Sequence, residues 1–341
     1  MLHFLPHCIF ILIVAAWPQA MAEAQSLQEQ NAALIERLKA IHGLTEVQAA
    51  GVRTIFAQSP YIGQGNPAVT QHPATMQECT TRLQQLSVSY EKSRYEQICG
   101  AKYMAPLYDP DQQTAEDARA CIDQFEFPDI PCEYPVVWVR TSEAAQICSA
   151  MGKRLCDAHE WEGGCAGQLT PPDYRFDLAK GVAPEQAVRR MRTAHNSAYS
   201  GSKSWSYGPQ YRKGLCAANS SKSPDCTGGS WTQCGSNTYP AGFFPECHSP
   251  SGVYDINGNA AEHMNLPLNE GQMASRGSTQ LGYTEMKGSW FIFDKYRAHE
   301  DWCRWRAPFW HGSQVMSAES HHNYHLGFRC CKTLEEKKGT E

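Results

Sequence analysis

Three features are missing from this 341-residue chain, and each absence excludes a class of protein. The apolar run from Cys8 to Trp17 is about half as long as a membrane-spanning helix, so we expect no stable membrane span. No Lys/Arg cluster accompanies the net charge of −5, which argues against nucleic acid as the main partner. No pair of cysteines has the CxxC spacing that is typical of zinc sites.

The N-terminus has the pattern of a secretory signal peptide over residues 1–22. Its apolar run precedes Ala20-Met21-Ala22, a small-x-small cleavage site, although no Lys or Arg precedes the run and no lipobox surrounds Cys8. A misassigned start codon or a buried N-terminal helix is the alternative. We therefore expect a periplasmic or secreted protein.

Cysteine usage supports the same location. The chain has fifteen cysteines, and removal of Cys8 with the signal peptide leaves an even number. So many thiols are expected as disulfides in an oxidising compartment. Metal binding is the alternative, but the adjacent Cys330 and Cys331 have a spacing that zinc sites rarely use.

Residues 23–119 are predicted to form a helical N-terminal region. Helices are indicated over Ser26–Gly43, with a capping box, and over Thr45–Gln58. A third helical stretch, Thr75–Gly100, would separate Cys79 and Cys99 by about 30 Å if it were straight. Either it folds back near Ser87, which we favour, or the two cysteines pair elsewhere. The region acts as a helical collar or docks onto a protein partner.

The pattern changes over residues 120–333. We predict a strand at Val136–Val139, a helix from Thr141 or Ser142 to Gly152, an extended Lys153–Leu155 and a helix from Asp157 to Cys165. Residues 196–250 have the composition of a long irregular segment, which disulfides of its four cysteines can stabilise. Residues 334–341 are a polar tail.

Four motifs follow one another in this region: Ile147–Cys165 (ICSAMGKRLCDAHEWEGGC), Gly252–His263 (GVYDINGNAAEH), Lys287–Phe291 (KGSWF) and Leu326–Cys331 (LGFRCC). Together they resemble the formylglycine-generating-enzyme family, or sulfatase-modifying-factor domain, whose relatives include proteins of pyoverdine maturation and ergothioneine synthesis. The resemblance implies an α+β fold with much irregular structure over residues 120–333, a compact variant of the C-type-lectin-like fold that follows the helical N-terminal region.

The resemblance also implies two disulfides, Cys148–Cys330 and Cys165–Cys303. Cys121–Cys132 is a further expected local pair. The partners of the other cysteines stay open, namely those of Cys79, Cys99, Cys156, Cys331 and the group Cys216, Cys226, Cys234 and Cys247.

The copper-binding thiols of the family have no counterpart in this chain. The family enzyme binds Cu(I) through two cysteines that lie five and ten residues before the position of Cys303. The stretch Trp290–Trp302 contains no cysteine. Formylglycine generation by that mechanism is therefore not expected.

The motif at residues 252–263 resembles the family's calcium loop. The resemblance implies carboxylate ligands from Asp255 and Glu262, and backbone carbonyl ligands from Gly258 and Ala260, for a structural Ca²⁺. The alternative is an Asx-type turn that leaves Glu262 exposed.

Histidines cluster near the C-terminus, at positions 299, 311, 321, 322 and 325, with Asp294, Glu300 and Asp301 nearby. Two histidines and a carboxylate suit Fe²⁺ or another redox metal. Our candidate catalytic residues are His299, His311, His325 and Arg297. The guanidinium of Arg297, beside many aromatic residues, suits a carboxylate, a peptide backbone or a catechol-like ring. The alternatives are surface or stacking histidines and a purely structural aromatic core.

Two functions are compatible with these observations. The first is an exported oxidoreductase or protein/peptide-modifying enzyme, with a small-molecule or peptide substrate, that does not use paired cysteines and copper. The second is a non-catalytic, calcium-stabilised C-type-lectin-like binding module, because a fold does not determine a function.

Overall fold

The computed structural model describes residues 25–307 and 312–335; the predicted signal peptide and most of the polar tail lie outside these ranges. The described residues form short helices and strands joined by long irregular segments, as predicted. The α-helices are α1 (Leu27–His42), α2 (Glu46–Gln58), α3 (Met76–Gln85), α4 (Ser93–Cys99), α5 (Thr141–Ala150), α6 (Ala158–Ala166) and α7 (Pro184–Tyr199). The strands are β1 (Met104–Leu107), β2 (Ala120–Asp123), β3 (Arg154–Leu155), β4 (Ala261–Leu266), β5 (Tyr283–Lys287), β6 (Leu326–Phe328) and β7 (Cys330–Thr333).

Local sequence determines the ends of the first helices. Ser26 and Glu29 form the predicted capping box of α1, and Gly43 ends that helix in the left-handed conformation. Thr45 and Gln48 form a second capping box at α2. Helix α1 packs against α2 and α2 packs against α5, and the apolar faces of all three belong to one core cluster. The predicted helices are confirmed.

The stretch after residue 75 breaks where we expected. Helix α3 ends at Gln85, and α4 begins at Ser93. Between them Ser87 has a left-handed backbone with φ +54°. The cysteines of the two helices nevertheless pair elsewhere, because Cys79 bonds to Cys132 and Cys99 bonds to Cys121.

The expected pair Cys121–Cys132 is therefore wrong, and the pairing of the strands explains why. Cys121 lies on β2, which pairs with β1, and β1 follows α4 closely in the chain; α4 therefore brings Cys99 to Cys121. Cys132 lies in a turn, and its own N–H donates to the carbonyl of Ala241, beside Cys79. Proximity in sequence did not give proximity in space.

The first sheet has the order β1-β2-β7-β3 and is antiparallel throughout. Neighbouring residues on a strand point to opposite faces, so the adjacent cysteines of β7 reach different partners. Cys330 bonds to Cys148 on α5, as the resemblance implied, and Cys331 bonds to Cys156. The last strand is therefore cross-linked on both faces.

The second sheet has the order β5-β4-β6, with β4 antiparallel to β5 and parallel to β6. It carries the segment that follows β5, and Cys303 of that segment bonds to Cys165 on α6, as implied. Two further disulfides, Cys216–Cys247 and Cys226–Cys234, stabilise the irregular segment.

The predicted strand at Val136–Val139 is wrong. Only Val137 makes a bridge there, to Gly63, and Trp138 has φ +57°, which no strand residue adopts. The long helix α7 was not predicted. Among the described residues, no helix combines the length and the apolarity that crossing a bilayer requires.

Candidate functional site

The segment that follows β5 is fixed at both ends. Lys287, the last residue of β5, is buried and donates from Nζ to Glu162 Oε1 at 3.1 Å. At the other end Cys303 is held by its disulfide. Between them Ser289 donates to Asp301 Oδ2 at 3.0 Å, and Trp205 donates to Asp301 Oδ1 at 2.7 Å. This segment therefore presents its aromatic residues from a rigid base.

These aromatic residues continue into a larger surface, which we call the histidine–aromatic stripe. Neighbouring rings in it have centroids 4.7–6.5 Å apart, and its members come from distant parts of the chain, between Tyr61 and His325. The members are Tyr61, Trp138, Trp231, Trp290, Phe293, His299, Trp305, His322, Tyr324 and His325.

Several buried polar atoms of the stripe have no hydrogen-bond partner among the described residues. They are the indole nitrogens of Trp138 and Trp290, and Nδ1 of His322 and of His325. Buried indole N–H groups usually find a partner, and an unpartnered buried polar atom is costly to a folded protein. Trp138 in addition holds a left-handed backbone conformation that is rare for a bulky residue. Such features concentrate at binding and catalytic sites.

The histidines of the stripe are uncharged at neutral pH. Burial lowers the pKa of His325 to about 3, assisted by His321, His299 and His263. Burial also lowers the pKa of His299 and that of His322. The lowered pKa values make these rings weak bases, but a neutral imidazole keeps a lone pair that can accept a hydrogen bond or bind a metal ion.

The structure brings together some of the candidate residues and separates others. His299 and His325 both contact the ring of Trp290, at centroid distances of 4.9 and 4.7 Å. Arg297 is exposed and lies at the edge of the stripe, its guanidinium 3.8 Å from the centroid of the Tyr211 ring. His311 lies outside the described residues.

A group of potential metal ligands that the sequence did not reveal lies beneath the stripe. Ligand atoms of Glu162, Asp173 and His195 lie within 4.8 Å of one another, a set that could hold a metal ion. It is the one such set of three or more His, Cys, Asp or Glu side chains within residues 25–307 and 312–335. The stripe histidines thus do not meet a carboxylate in such a set.

This group is already occupied by cationic side chains. Arg306 donates to Glu162 at 2.8 Å and to Asp173 at 3.1 Å, and Lys287 also contacts Glu162. Although burial alone raises the pKa of Glu162, Arg306 and Lys287 lower it to about 2. Both ring nitrogens of His195 face oxygen acceptors, Asp173 Oδ2 at 2.9 Å and the carbonyl of Arg304 at 2.7 Å. A metal ion would have to displace these partners, so the group acts first as an ion-pair network.

The two carboxylates of the predicted calcium loop differ in their hydrogen bonds. Both oxygens of Glu262 accept hydrogen bonds, whereas those of Asp255 do so only in part. Glu262 is buried, accepts two hydrogen bonds from Arg329 at 2.7 Å, and accepts a third from Trp161 at 2.8 Å. The alternative that leaves Glu262 exposed therefore disagrees with the structure. Asp255 accepts from the N–H of Gly242, but its buried Oδ1 has no hydrogen-bond partner among the described residues.

Gly258 and Ala260, whose carbonyls are the predicted backbone ligands, both lie against other groups of the core. Gly258 has φ +107° and lies so close to the carbonyl of Ala217 that a Cβ would sit 3.0 Å from its oxygen. Ala260 donates its N–H to Glu126, a buried carboxylate whose pKa is raised by burial and by Asp255. Glu126 and Asp255 are thus two acidic groups near each other in the core; Asp255 was predicted as a ligand from the sequence, and Glu126 was not.

Comparison with known families now identifies the class of protein. The model of the sulfatase-modifying factor enzyme 1-like domain, FGE-sulfatase, matches residues 68–334. The chain belongs to this family, and its fold is the one that the motifs implied. The match begins upstream of residue 120, within the predicted helical N-terminal region.

Two solved structures are similar to the chain. PvdO from Pseudomonas aeruginosa is 15% identical, with 68% of this chain and 91% of that chain covered and a TM-score of 0.31. CarF is also 15% identical, with 77% and 84% covered and a TM-score of 0.25. No curated protein sequence matches the chain.

Proposed function

We propose that this chain is an exported enzyme of the FGE-sulfatase family, an oxidoreductase or a protein/peptide-modifying enzyme. It acts on a small-molecule or peptide substrate at the histidine–aromatic stripe and does not use paired thiolates. The observation that carries the proposal is a contrast within one segment. Its cysteine, Cys303, is bonded to Cys165, whereas the buried indole nitrogen of its Trp290 has no hydrogen-bond partner among the described residues.

The cysteines support the negative half of the proposal. All fourteen cysteines of the described residues are in the seven disulfides. Cu(I) needs soft thiolate or thioether ligands, and a disulfide sulfur is not a thiolate. Formylglycine generation through a cysteine pair is therefore not supported. The same seven disulfides favour an oxidising compartment, which agrees with export.

The stripe supports the positive half. Its neutral histidines can accept a hydrogen bond from a bound substrate, and its rings can hold a planar group. Asp301 adds an acid at the base of the segment, because burial raises its pKa to about 6. Fe²⁺ is the redox metal that we expected at His299, His311 and His325. Among the described residues no third ligand joins His299 and His325, so we derive no step from a metal there.

Calcium is proposed as a structural cofactor of the Asp255 loop. The buried Oδ1 of Asp255, which has no hydrogen-bond partner in the described part of the chain, and the nearby carboxylate of Glu126 supply the hard oxygens that Ca²⁺ prefers. The carboxylate of Glu262 would have to leave Arg329 to join them. The ligand set is therefore Asp255, Gly258 and Ala260, with Glu126 as the second acid, because its oxygens accept from the N–H of Ala260 and from Asn259 rather than from a cationic side chain.

Metal analysis of the purified protein, together with oxygen consumption, tests the proposal. Stoichiometric iron or copper that is lost in His325→Gln, but kept in the control His248→Gln, would support the enzyme. His248 is a suitable control because it contacts Tyr254, outside the stripe. Calcium alone, with no redox metal and no turnover of peptide or aromatic substrates, would favour the binding module instead.

A further inference from the structure

The imidazole of His299 is surrounded by aromatic rings of its own chain. Its centroid lies 4.9 Å from that of Trp305, with the two rings nearly parallel at 5°. It also lies 4.9 Å from Trp290 and 5.7 Å from Phe293. We call Trp290, Phe293 and Trp305 the ring box. All three are buried, whereas His299 itself is partly exposed.

The segment that delivers His299 is held mainly at its ends. Asp294 accepts from Tyr211 at 2.5 Å and from the N–H of Gly214 at 2.9 Å, and Asp301 is fixed by Ser289 and Trp205. Between these anchors, the backbone of residues 297–300 makes no backbone hydrogen bond to another described residue. Residues 295–298 and Glu300 are exposed. The segment is thus an irregular peptide that inserts one ring between fixed walls.

Resting on the proposed function, we propose that the ring box is the subsite for an aromatic or imidazole side chain of a peptide substrate. In this structure the protein's own His299 occupies that subsite. The occupant shows which chemistry fits, namely an uncharged, single planar ring on a short stem. A substrate ring enters when the segment 295–300 moves outward, and His299 competes with it from within the molecule.

A peptide added in trans tests this assignment on the full chain with its seven disulfides. The probe is the hexapeptide of residues 295–300 with Ala in place of Tyr296, Lys-Ala-Arg-Ala-His-Glu, so that histidine is its one ring, and the control peptide carries Ala in place of that histidine as well. Calorimetry measures the binding of each to the wild type and to His299→Ala. A tethered side chain competes at an effective concentration in the millimolar range. We therefore expect the His peptide to bind His299→Ala at least about tenfold more tightly than the wild type. Trp305→Ala in the same background should abolish this binding.

Equal binding of the two peptides, or no binding to a folded His299→Ala, would overturn the assignment. Should His299→Ala fail to fold, the wild type decides. Excess His peptide should then increase the labelling of His299 by diethyl pyrocarbonate, and the Ala peptide should not; no increase overturns the subsite. The readout is independent of turnover. Binding of the peptide without any enzymatic reaction would overturn the proposed function but not the subsite. An active enzyme that does not bind the peptide would overturn the subsite but not the proposed function.

Discussion

The pair Arg329–Glu262 and the histidine–aromatic stripe are both buried, but they treat their polar atoms in opposite ways. Arg329 donates from all three guanidinium nitrogens, to both oxygens of Glu262 and to the carbonyls of Asp123, Gln124 and Tyr254. In the stripe, the indole nitrogens of Trp138 and Trp290 have no partner among the described residues. A saturated pair holds a fold together, whereas unsaturated atoms at comparable depth indicate a surface shaped for something else.

The same contrast distinguishes the motifs of the family, because two of them meet in a saturated ion pair and a third leads into the stripe. The Arg of LGFRCC and the Glu of NAAEH meet in the core, where their charges cancel. The KGSW motif leads instead into the stripe. Its lysine, Lys287, forms an ion pair with Glu162, whereas the indole nitrogen of its tryptophan, Trp290, has no hydrogen-bond partner among the described residues. Motifs that are equally recognisable in sequence thus have different physical roles.

The largest expected effect comes from breaking the saturated pair. Arg329→Met leaves Glu262 as a buried, uncompensated carboxylate near two other acidic groups. We expect a loss of about 3–5 kcal/mol in the free energy of unfolding, measured by urea denaturation. If the loss were no greater than that of a typical exposed substitution, the pair would not be part of the stabilising core.

The second effect concerns pH and belongs to the stripe. The pKa of His325 is lowered to about 3 in the folded protein, so the unfolded chain binds its proton first as pH falls. Its contribution to stability is complete above about pH 6.5 and is lost as pH falls toward 3, by about 1.4 kcal/mol per pH unit.

Other groups oppose this trend, so the difference between two proteins is the useful measurement. Burial raises the pKa of Asp255 to about 7 and that of Asp301 to about 6, and both carboxyls favour the folded state as pH falls. Between pH 6 and 4, the stability of His325→Phe should fall less steeply than that of the wild type. Parallel curves would show that the pKa of His325 is the same in the folded and unfolded protein, contrary to the expectation.

A matched pair of tryptophans gives a third, smaller effect. Trp161 donates to the carboxylate of Glu262, whereas Trp290 has no acceptor among the described residues. A hydrogen bond to a charged group contributes about 1.5–3 kcal/mol. Trp161→Phe should therefore cost about 1–3 kcal/mol more than Trp290→Phe in thermal or urea unfolding. Equal costs would mean that Trp290 has an acceptor of similar strength.

The smallest effect is expected at the surface. Arg94 and Glu116 make two hydrogen bonds of 2.8 Å, but both side chains are largely exposed. Arg94→Met should leave the unfolding midpoint nearly unchanged, and any difference should disappear in high salt. A large, salt-resistant loss here would show that hydrogen-bond geometry, rather than burial, decides which pairs stabilise this fold.

Much of the fold could be predicted because the signals were local or came from ordered motifs. The capping boxes at Ser26 and Thr45 need only four residues each, and the motifs placed Cys303 opposite Cys165. The strand expected at Val136–Val139 failed because the left-handed conformation of Trp138 depends on tertiary contacts, among them its hydrogen bond to Asn323. Propensity does not carry that information.

The candidate site was predictable only in part. Histidines 299 and 325 were named because they lie near the KGSW motif in sequence or beside LGFRCC. Their aromatic neighbours at Tyr61, Trp138 and Trp231 are far away along the chain and meet them only through folding. The same is true of Glu162, Asp173 and His195. No spacing rule links residues that lie on separate elements.

The position of β7 also has a consequence for the synthesis of this protein. The strand lies between β2 and β3, and its two cysteines close loops of 182 and 175 residues. A nascent chain therefore cannot complete this sheet until nearly the last described residue has emerged. Shortened products that lack those few residues would lose the middle of a sheet together with two cross-links, and quality control would meet them as unfolded polypeptide.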